Sequence, residues 1–448
     1  MPIRTDDPFG EFVDGLRPAS YTAVGLAGFN NRCLRPADSL DPGVDYREWR
    51  EAGPVQRVEF PGGLQVWAVT RYREVLALLR DDRFTRDWRA VPSPAFDYGS
   101  RRYPEDYFAT PHSTLFNSEG ADHQRLLRLA MPFLTRDRVR KMQPVIEEVV
   151  RTVVAPLADR ERVDLVAEFA VPIPLQVIGR VLGVRDGLLP EFAEHLHVTS
   201  GWLDPADERW QSSSRALHRL ALQAMNDPDA IAGDCLIGAL IEAYRGRGAI
   251  TRVEIGAMIV ILIATGYETT AALLANGSLV MVTDPAARRQ MVGDGVESAV
   301  AELLRWQPPS PWGQLRIARR DLTFAGVDIT EGDLVYPVFP AANRDPRVFT
   351  DPEVLDLARD EADHLSFGQG KRRCIGSWLA RAIATTALPA LARHLPPMRV
   401  SVPVDQLRWH GLLHVRALQA LPVHRTAAAS GDGYDHAGEA EPGAEAEQ

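Results

Sequence analysis

Cys374 stands in a stretch, His364 to Gly376 (HLSFGQGKRRCIG), that Gly368, Gly370 and Gly376 break and that Lys371, Arg372 and Arg373 charge. The stretch reads as a loop entering a helix that carries Ser377, Trp378 and Leu379. A helix entry offers free N–H groups and the positive end of a dipole, and these favour a thiolate over a thiol. Glycines let such a backbone pass close to something flat and bulky. A thiolate there is a soft metal ligand; the alternative is a structural Cys in a turn. A second place for chemistry is Glu268, the one charge between Glu254 and Asp284, with Thr265, Gly266, Thr269 and Thr270 beside it. A lone acid in an apolar helix is costly unless paired, hydrated or used, and a neighbouring Thr hydroxyl can hold a water or bond back to a carbonyl. An Arg from another helix could equally pair with it. Glu302 and Arg305 lie three apart on a helical pattern and share a face. His123 opens a helical pattern with Arg125 and Arg128 close behind, which by itself reads as a solvated basic face.

The elements that must position these groups are mostly helical. Thr251 to about Val282 is a continuous helical pattern, about 48 Å long at 1.5 Å per residue. It is apolar on nearly all sides, so the pattern predicts a buried central helix. Val55 to Phe60 and Leu64 to Val69 are short β-type runs joined at Pro61-Gly62-Gly63, a hairpin signal. A short helix follows over Arg71 to Leu79. Residues 91–120 are rich in Pro, Phe and Tyr and read as a lid that packs on something apolar. Helical periodicity dominates from Asp122 to about Asp186, over 187–229 with a break near Gly201 to Glu208, and over 231–246. Strand-like segments return over Leu322 to Tyr336. The expected fold is mostly α with a smaller β part (α+β), one large domain over residues 1–425. The stretch from Thr426 to Gln448 holds six acids and no Lys or Arg, and reads as a disordered acidic tail.

A net charge of −10, of which that tail supplies six, argues against general nucleic-acid binding. Three widely spaced cysteines suggest no disulfide framework and a reducing compartment. The N-terminal MPIRTDDPFGEF has no apolar h-region, and Glu268 interrupts the one long apolar run, so neither a leader nor a membrane span is expected. These features together point to a cytoplasmic protein.

In this order, the strings resemble the cytochrome P450 family. The Cys stretch matches its haem-binding loop, F-x-x-G-x-H/R-x-C-x-G, at Phe367, Gly370, Arg372, Cys374 and Gly376, with Gly368 inside it. Gly266, Glu268, Thr269 and Thr270 fall on the family's oxygen-binding helix, where Thr265 replaces the usual Ala or Gly. Glu302-Leu303-Leu304-Arg305 looks like the E-x-x-R pair. Pro352 to Arg359 is similar to the downstream P-x-x-F-x-x-x-R string, with Leu355 for Phe, making Arg359 the third member of that network. His123 matches the family's H-x-x-x-R, but Leu127 stands at the Arg position, leaving Arg128 or Arg125 to serve. Arg316 resembles the other propionate Arg.

The resemblance implies a soluble, monomeric haem-thiolate monooxygenase holding haem b. Cys374 is its implied iron ligand, and His123, Arg128, Gly266, Arg316, Phe367, Gly368, Arg372 and Gly376 its implied haem contacts. Glu268 and Thr269 are its implied proton-delivery pair. It implies O₂ and a small-molecule substrate, with electrons originating in NAD(P)H and passing through a ferredoxin reductase and an acidic ferredoxin. Lys371, Arg372, Arg373 and the Arg-rich 123–141 region could dock that ferredoxin. Expected pocket walls are the 91–120 lid, the 187–215 segment, Ile261, Ala264 and Thr265, Ser310 to Gln314 with Trp312, and Gly411 to His414. They suit a mostly apolar molecule, such as a natural-product intermediate. A peroxide-driven enzyme and a haem-thiolate module that only binds a partner protein are the alternatives; the Glu268-Thr269 pair argues against both. A helical protein without haem, with Cys374 structural, is the third.

Overall fold

The computed structural model describes residues 43–60, 64–87, 90–91, 114–200, 207–247, 249–360, 363–411 and 415–426. The acidic tail beyond 426, the 92–113 part of the expected lid and the 412–414 part of the expected pocket wall lie outside them. The helices are α1 (Gly43–Ala52), α2 (Tyr72–Arg80), α3 (Gly120–Ala130), α4 (Arg136–Lys141), α5 (Gln143–Val154), α6 (Pro172–Leu182), α7 (Leu189–Ser200), α8 (Glu208–Met225), α9 (Leu236–Arg247), α10 (Arg252–Thr283), α11 (Val296–Trp306) and α12 (Ser377–His394). Short helices over Pro228–Ala232, Pro285–Gln290 and Phe339–Ala342, and turns, connect them.

The strands are β1 (Val55–Phe60), β2 (Leu64–Val69), β3 (Phe84–Thr85), β4 (Arg162–Asp164), β5 (Arg316–Ala318), β6 (Leu322–Phe324), β7 (Val327–Ile329), β8 (Leu334–Pro337), β9 (Met398–Val400), β10 (Trp409–Gly411), β11 (Arg416–Leu418) and β12 (Pro422–Arg425). The main sheet runs β1-β2-β8-β5-β3. β1 and β2 form the expected hairpin, in the register Val55↔Val69 to Phe60↔Leu64. At the far edge β3 pairs antiparallel with β5, Phe84 opposite Ala318 and Thr85 opposite Ile317.

The 32-residue α10 is the centre of the molecule. A capping box starts it: the Thr251 hydroxyl accepts from Glu254 N–H at 3.2 Å, and Glu254 accepts from Thr251 N–H at 2.7 Å. It packs against α6, α8, α12 and strand β11, and its Ile255, Met258, Ile259, Ile263 and Leu274 are wholly enclosed in the main core. Among the described residues it is the helix long and apolar enough to cross a membrane, and most of it is buried inside this fold.

Candidate haem site

The Cys loop is shaped by its glycines. Gly368 (φ +65°) and Gly370 (φ +76°) adopt the left-handed region that disfavours any side chain. Gly368 N–H donates to Leu365 O at 2.7 Å, and Cys374 N–H returns to Phe367 O at 2.8 Å, closing the loop. Phe367 is wedged between His364 (5.7 Å between ring centroids) and the Arg381 guanidinium (5.4 Å). Gly376 caps α12, and its N–H points at the Cys374 sulfur. Cys374 lies deep in the protein yet keeps an open face, so that face borders an internal cleft. The thiolate expected from the loop's donors is not what the protein alone favours. Burial pushes the Cys374 thiol up, and the Gly376 N–H and Arg373 offset only part of it. A cation at the sulfur is what this site lacks electrostatically, and a metal supplies one.

On α10 the less buried positions are not scattered. Ile261, Ala264, Thr265, Glu268 and Thr269 are all partly open, while most of their neighbours along the helix are buried. Their spacing of three and four residues marks one face, turned to open space. The hydroxyls of Thr265, Thr269 and Thr270 bond back to the carbonyls of Ile261 (2.7 Å), Thr265 (2.9 Å) and Gly266 (3.0 Å). Glu268 accepts a long bond (3.4 Å) from Tyr267, whose hydroxyl is also 3.4 Å from Ala193 O on α7. Gly266 departs from the ligand approach expected of it. A Cβ there would meet Ile178 Cγ1 at 2.8 Å, so the missing side chain serves the close packing of α10 on α6.

A basic cluster lies beside the Cys loop. Arg372 donates to Leu115 O (3.2 Å), to Ser118 O and to His123 Nδ1 (2.6 Å). A guanidinium cannot accept, so His123 Nδ1 is the acceptor and the ring is neutral. Burial, with Arg372 and Arg86 beside it, holds the His123 pKa down at about 4. Arg316 is 4% exposed, and burial and Arg372 bring its pKa to about 10. Its Nη2 has no hydrogen-bond partner.

Two members of this cluster escape sequence reasoning. Arg86 follows β3, and burial, Arg316 and Arg372 push its pKa well below the usual arginine value. Glu119, just before α3, accepts from Thr85 Oγ1 and Arg86 N–H, both at 2.6 Å, and pairs with Arg319. Burial alone would raise its pKa; these bonds and the arginines bring it below the usual carboxylate value. No local motif marks either residue. The candidate Arg128 is exposed, and Arg125 is committed to Glu254 (2.5 Å) and Asp122 (3.1 Å), so neither belongs to the cluster. Helix geometry turns both away, because only positions three or four from His123 share its face.

The structure brings Glu302, Arg305 and Arg359 together. Arg305 meets Glu302 through Nε (2.6 Å) and Nη2 (2.8 Å), and Arg359 Nε lies 3.1 Å from the same carboxylate. Arg305 also donates to the carbonyls of Asn343 (2.9 Å), Pro352 (2.8 Å) and Val354 (3.0 Å), which pins the chain leading to the Cys loop. Leu355, in place of the expected Phe, packs on the main core. Trp312 is not a pocket wall. It is 1% exposed and packs on Trp49 and Tyr336, because its bridge to Val338 turns it into the second core.

Residues 296–403 match the cytochrome P450 family. The chain is 32% identical over 383 residues to cytochrome P450 107B1 of Saccharopolyspora erythraea, covering 84% of this chain and 93% of that one. It is 32% identical over 391 residues to the cytochrome P450 monooxygenase PikC of Streptomyces venezuelae, covering 86% and 91%. Among solved structures, myxobacterial cytochrome P450 CYP267B1 in complex with myristic acid superposes with a TM-score of 0.82 at 27% identity, over 89% of this chain and all of that one. The chain belongs to the cytochrome P450 family. It is a haem-dependent monooxygenase that acts on a small molecule with O₂. The residues present fit the cofactor. A soft sulfur opens on the cleft, and nearby buried guanidiniums, one with an unpaired nitrogen, suit a group that carries carboxylates.

Proposed function

We propose that Cys374 is the iron ligand and that His123, Arg316 and Arg372 hold the haem carboxylates, with Phe367, Gly368 and Gly376 shaping the loop beneath the ring. When bound, haem supplies the activation of O₂. The protein holds, orients and protonates. The open face of α10 gives substrate its apolar wall at Ile261 and Ala264. Glu268 and Thr269 carry protons from water to the reacting end of that face, Thr269 by swinging its hydroxyl off the Thr265 carbonyl. Glu302, Arg305 and Arg359 keep the loop in register. The carrying observation is the deep, open-faced Cys374 on a glycine-shaped helix entry. The reaction is hydroxylation or epoxidation of a mostly apolar natural-product intermediate. Relatives named mycinamicin IV hydroxylase/epoxidase and 6-deoxyerythronolide B hydroxylase support that class.

Electrons come from NAD(P)H through an acidic ferredoxin, and the enzyme works as a cytoplasmic monomer, residues 1–425 forming the catalytic domain. Arg372 is turned inward and Lys371 pairs with Asp82, so docking falls to Arg373, Arg136, Arg140 and Lys141, around the exposed Trp378 that Arg136 covers at 5.1 Å. Two substitutions test the site. Cys374→Ser should abolish the thiolate-type band of the reduced carbon monoxide spectrum; its survival sinks the assignment. Thr269→Ala should keep that band and substrate binding while diverting reducing equivalents to peroxide. Fully coupled product formation would count against the proton role.

A further inference from the structure

We propose that Arg86 binds one haem carboxylate, in place of the arginine that α3 lacks at Leu127. This rests on the haem-thiolate reading above. The strand register places Arg86. With Thr85 opposite Ile317 and Phe84 opposite Ala318, the next step of the antiparallel pairing sets Arg86 against Arg316. Like charges directly opposite on neighbouring strands destabilise a sheet. Arg372 crowds both. A fold keeps such a cluster only where something anionic repays it.

Nothing described in the protein does so fully. Glu119 is the carboxylate these three guanidiniums face. Its oxygens are already taken by the Thr85 hydroxyl, the Arg86 main chain and Arg319. Arg86 Nε and Arg316 Nη2 are buried with no hydrogen-bond partner. With His123 accepting from Arg372 and therefore neutral, Arg86, Arg316, Arg372 and Arg319 stand as four cations against one anion, Glu119. That surplus of positive charge suits a group that carries carboxylates. Haem is such a group, and Arg372 ties this cluster to Cys374, two residues on in the same loop.

The α3 helix cannot supply the missing partner. Leu127 packs on the main core, Arg128 is exposed, and Arg125 is held by Glu254 and Asp122. Arg86 enters instead from the end of β3, its main-chain N–H held by Glu119 just before α3. It is a positioning contact to the cofactor, and it does not touch substrate.

The test uses purified holoenzyme: wild type, Arg86→Leu and Arg86→Lys. Haem transfer to excess apomyoglobin and the midpoint reduction potential are read, with circular dichroism to confirm folding. Arg86→Leu should release haem about ten- to a hundredfold faster, the size of one charge-assisted hydrogen bond to a buried group. Its potential should move negative, because removing a cation near the iron favours the oxidised state. Arg86→Lys should fall between the two, since it keeps the charge and loses the fork. Adding Leu127→Arg to Arg86→Leu should recover part of the retention and potential. Release within twofold of wild type and an unmoved potential in Arg86→Leu would overturn the proposal. So would faster release with an unmoved potential, the signature of a merely structural role. If Arg86→Leu does not fold, Arg86→Lys decides by the same two readings. A wild type without a thiolate-type carbon monoxide band would instead sink the haem reading itself.

Discussion

Arg305 and Arg316 are equally buried, at 1% and 4% exposure, and their surroundings are opposite. Around Arg305 every donor is answered from within the protein: the Glu302 carboxylate meets it through two nitrogens, and three carbonyls take the remaining donors. Glu302 also accepts from Asp356 N–H at 2.9 Å and pairs with Arg359. Around Arg316 a second and third guanidinium press in, the shared carboxylate is spent elsewhere, and a nitrogen is left without a partner. The first arrangement satisfies itself and serves the chain. The second is strained unless a ligand completes it. A buried arginine therefore says little by its burial; what answers its donors separates structure from binding.

The largest effect is expected at Glu302. Glu302→Gln keeps the shape and removes the charge that two buried guanidiniums face. It should cost about 3–5 kcal/mol of unfolding free energy in urea, followed by far-UV circular dichroism. A loss below about 1 kcal/mol would mean that the network is not self-sufficient.

His364 sharpens the same side with pH. Two donors face its ring, Ser366 N–H at 3.3 Å and Arg381 at 3.2 Å, with Arg305 and Arg373 nearby. Burial first, then these arginines, bring its pKa from 6.5 to about 3. The unfolded chain therefore binds a proton between pH 6.5 and 3 that the folded one refuses, and stability falls as pH falls through that window. By pH 5 the loss should be about 2 kcal/mol. His364→Gln should flatten this part of the stability-against-pH curve; an unchanged slope would remove His364 from the account.

The smallest expected effect lies in the other region. Arg316→Gln relieves a like-charge pair, so unfolding of the haem-free protein should change by less than about 1 kcal/mol, in either direction. Haem release from the same variant should nevertheless quicken. A loss comparable to that of Glu302→Gln would erase the distinction between the two clusters.

Much of the frame was legible in the chain. The long apolar pattern after Glu254, interrupted by the single charge of Glu268, defines α10, because periodicity is local. The hairpin at 55–69 follows from two β-branched runs around Pro-Gly-Gly for the same reason. The Cys loop and the Glu302–Arg305 pair are short-range patterns, so the sequence alone suffices to match them to the family's strings. Ile261, Ala264 and Thr265, expected as pocket walls from the family resemblance, lie on the open face of α10, and helical spacing is why they share it.

Other assignments needed three dimensions. Trp312 is in an apparent pocket string, yet a bridge to Val338 sends it into the aromatic core with Trp49. Gly266 looks like a ligand approach and is a helix–helix contact, since only the position of Ile178 decides what a missing Cβ makes room for. Arg86 and Glu119 carry no motif. They reach Arg316 and Arg372 because β3 and β5, far apart in sequence, pair in one register. Sequence by itself determined the local geometry, the reactive groups and the family they resemble, all of which depend on residues a few positions apart. Tertiary structure alone decided which charges meet across strands and which remain unanswered, because pairing and burial are set by contacts between segments that spacing does not link.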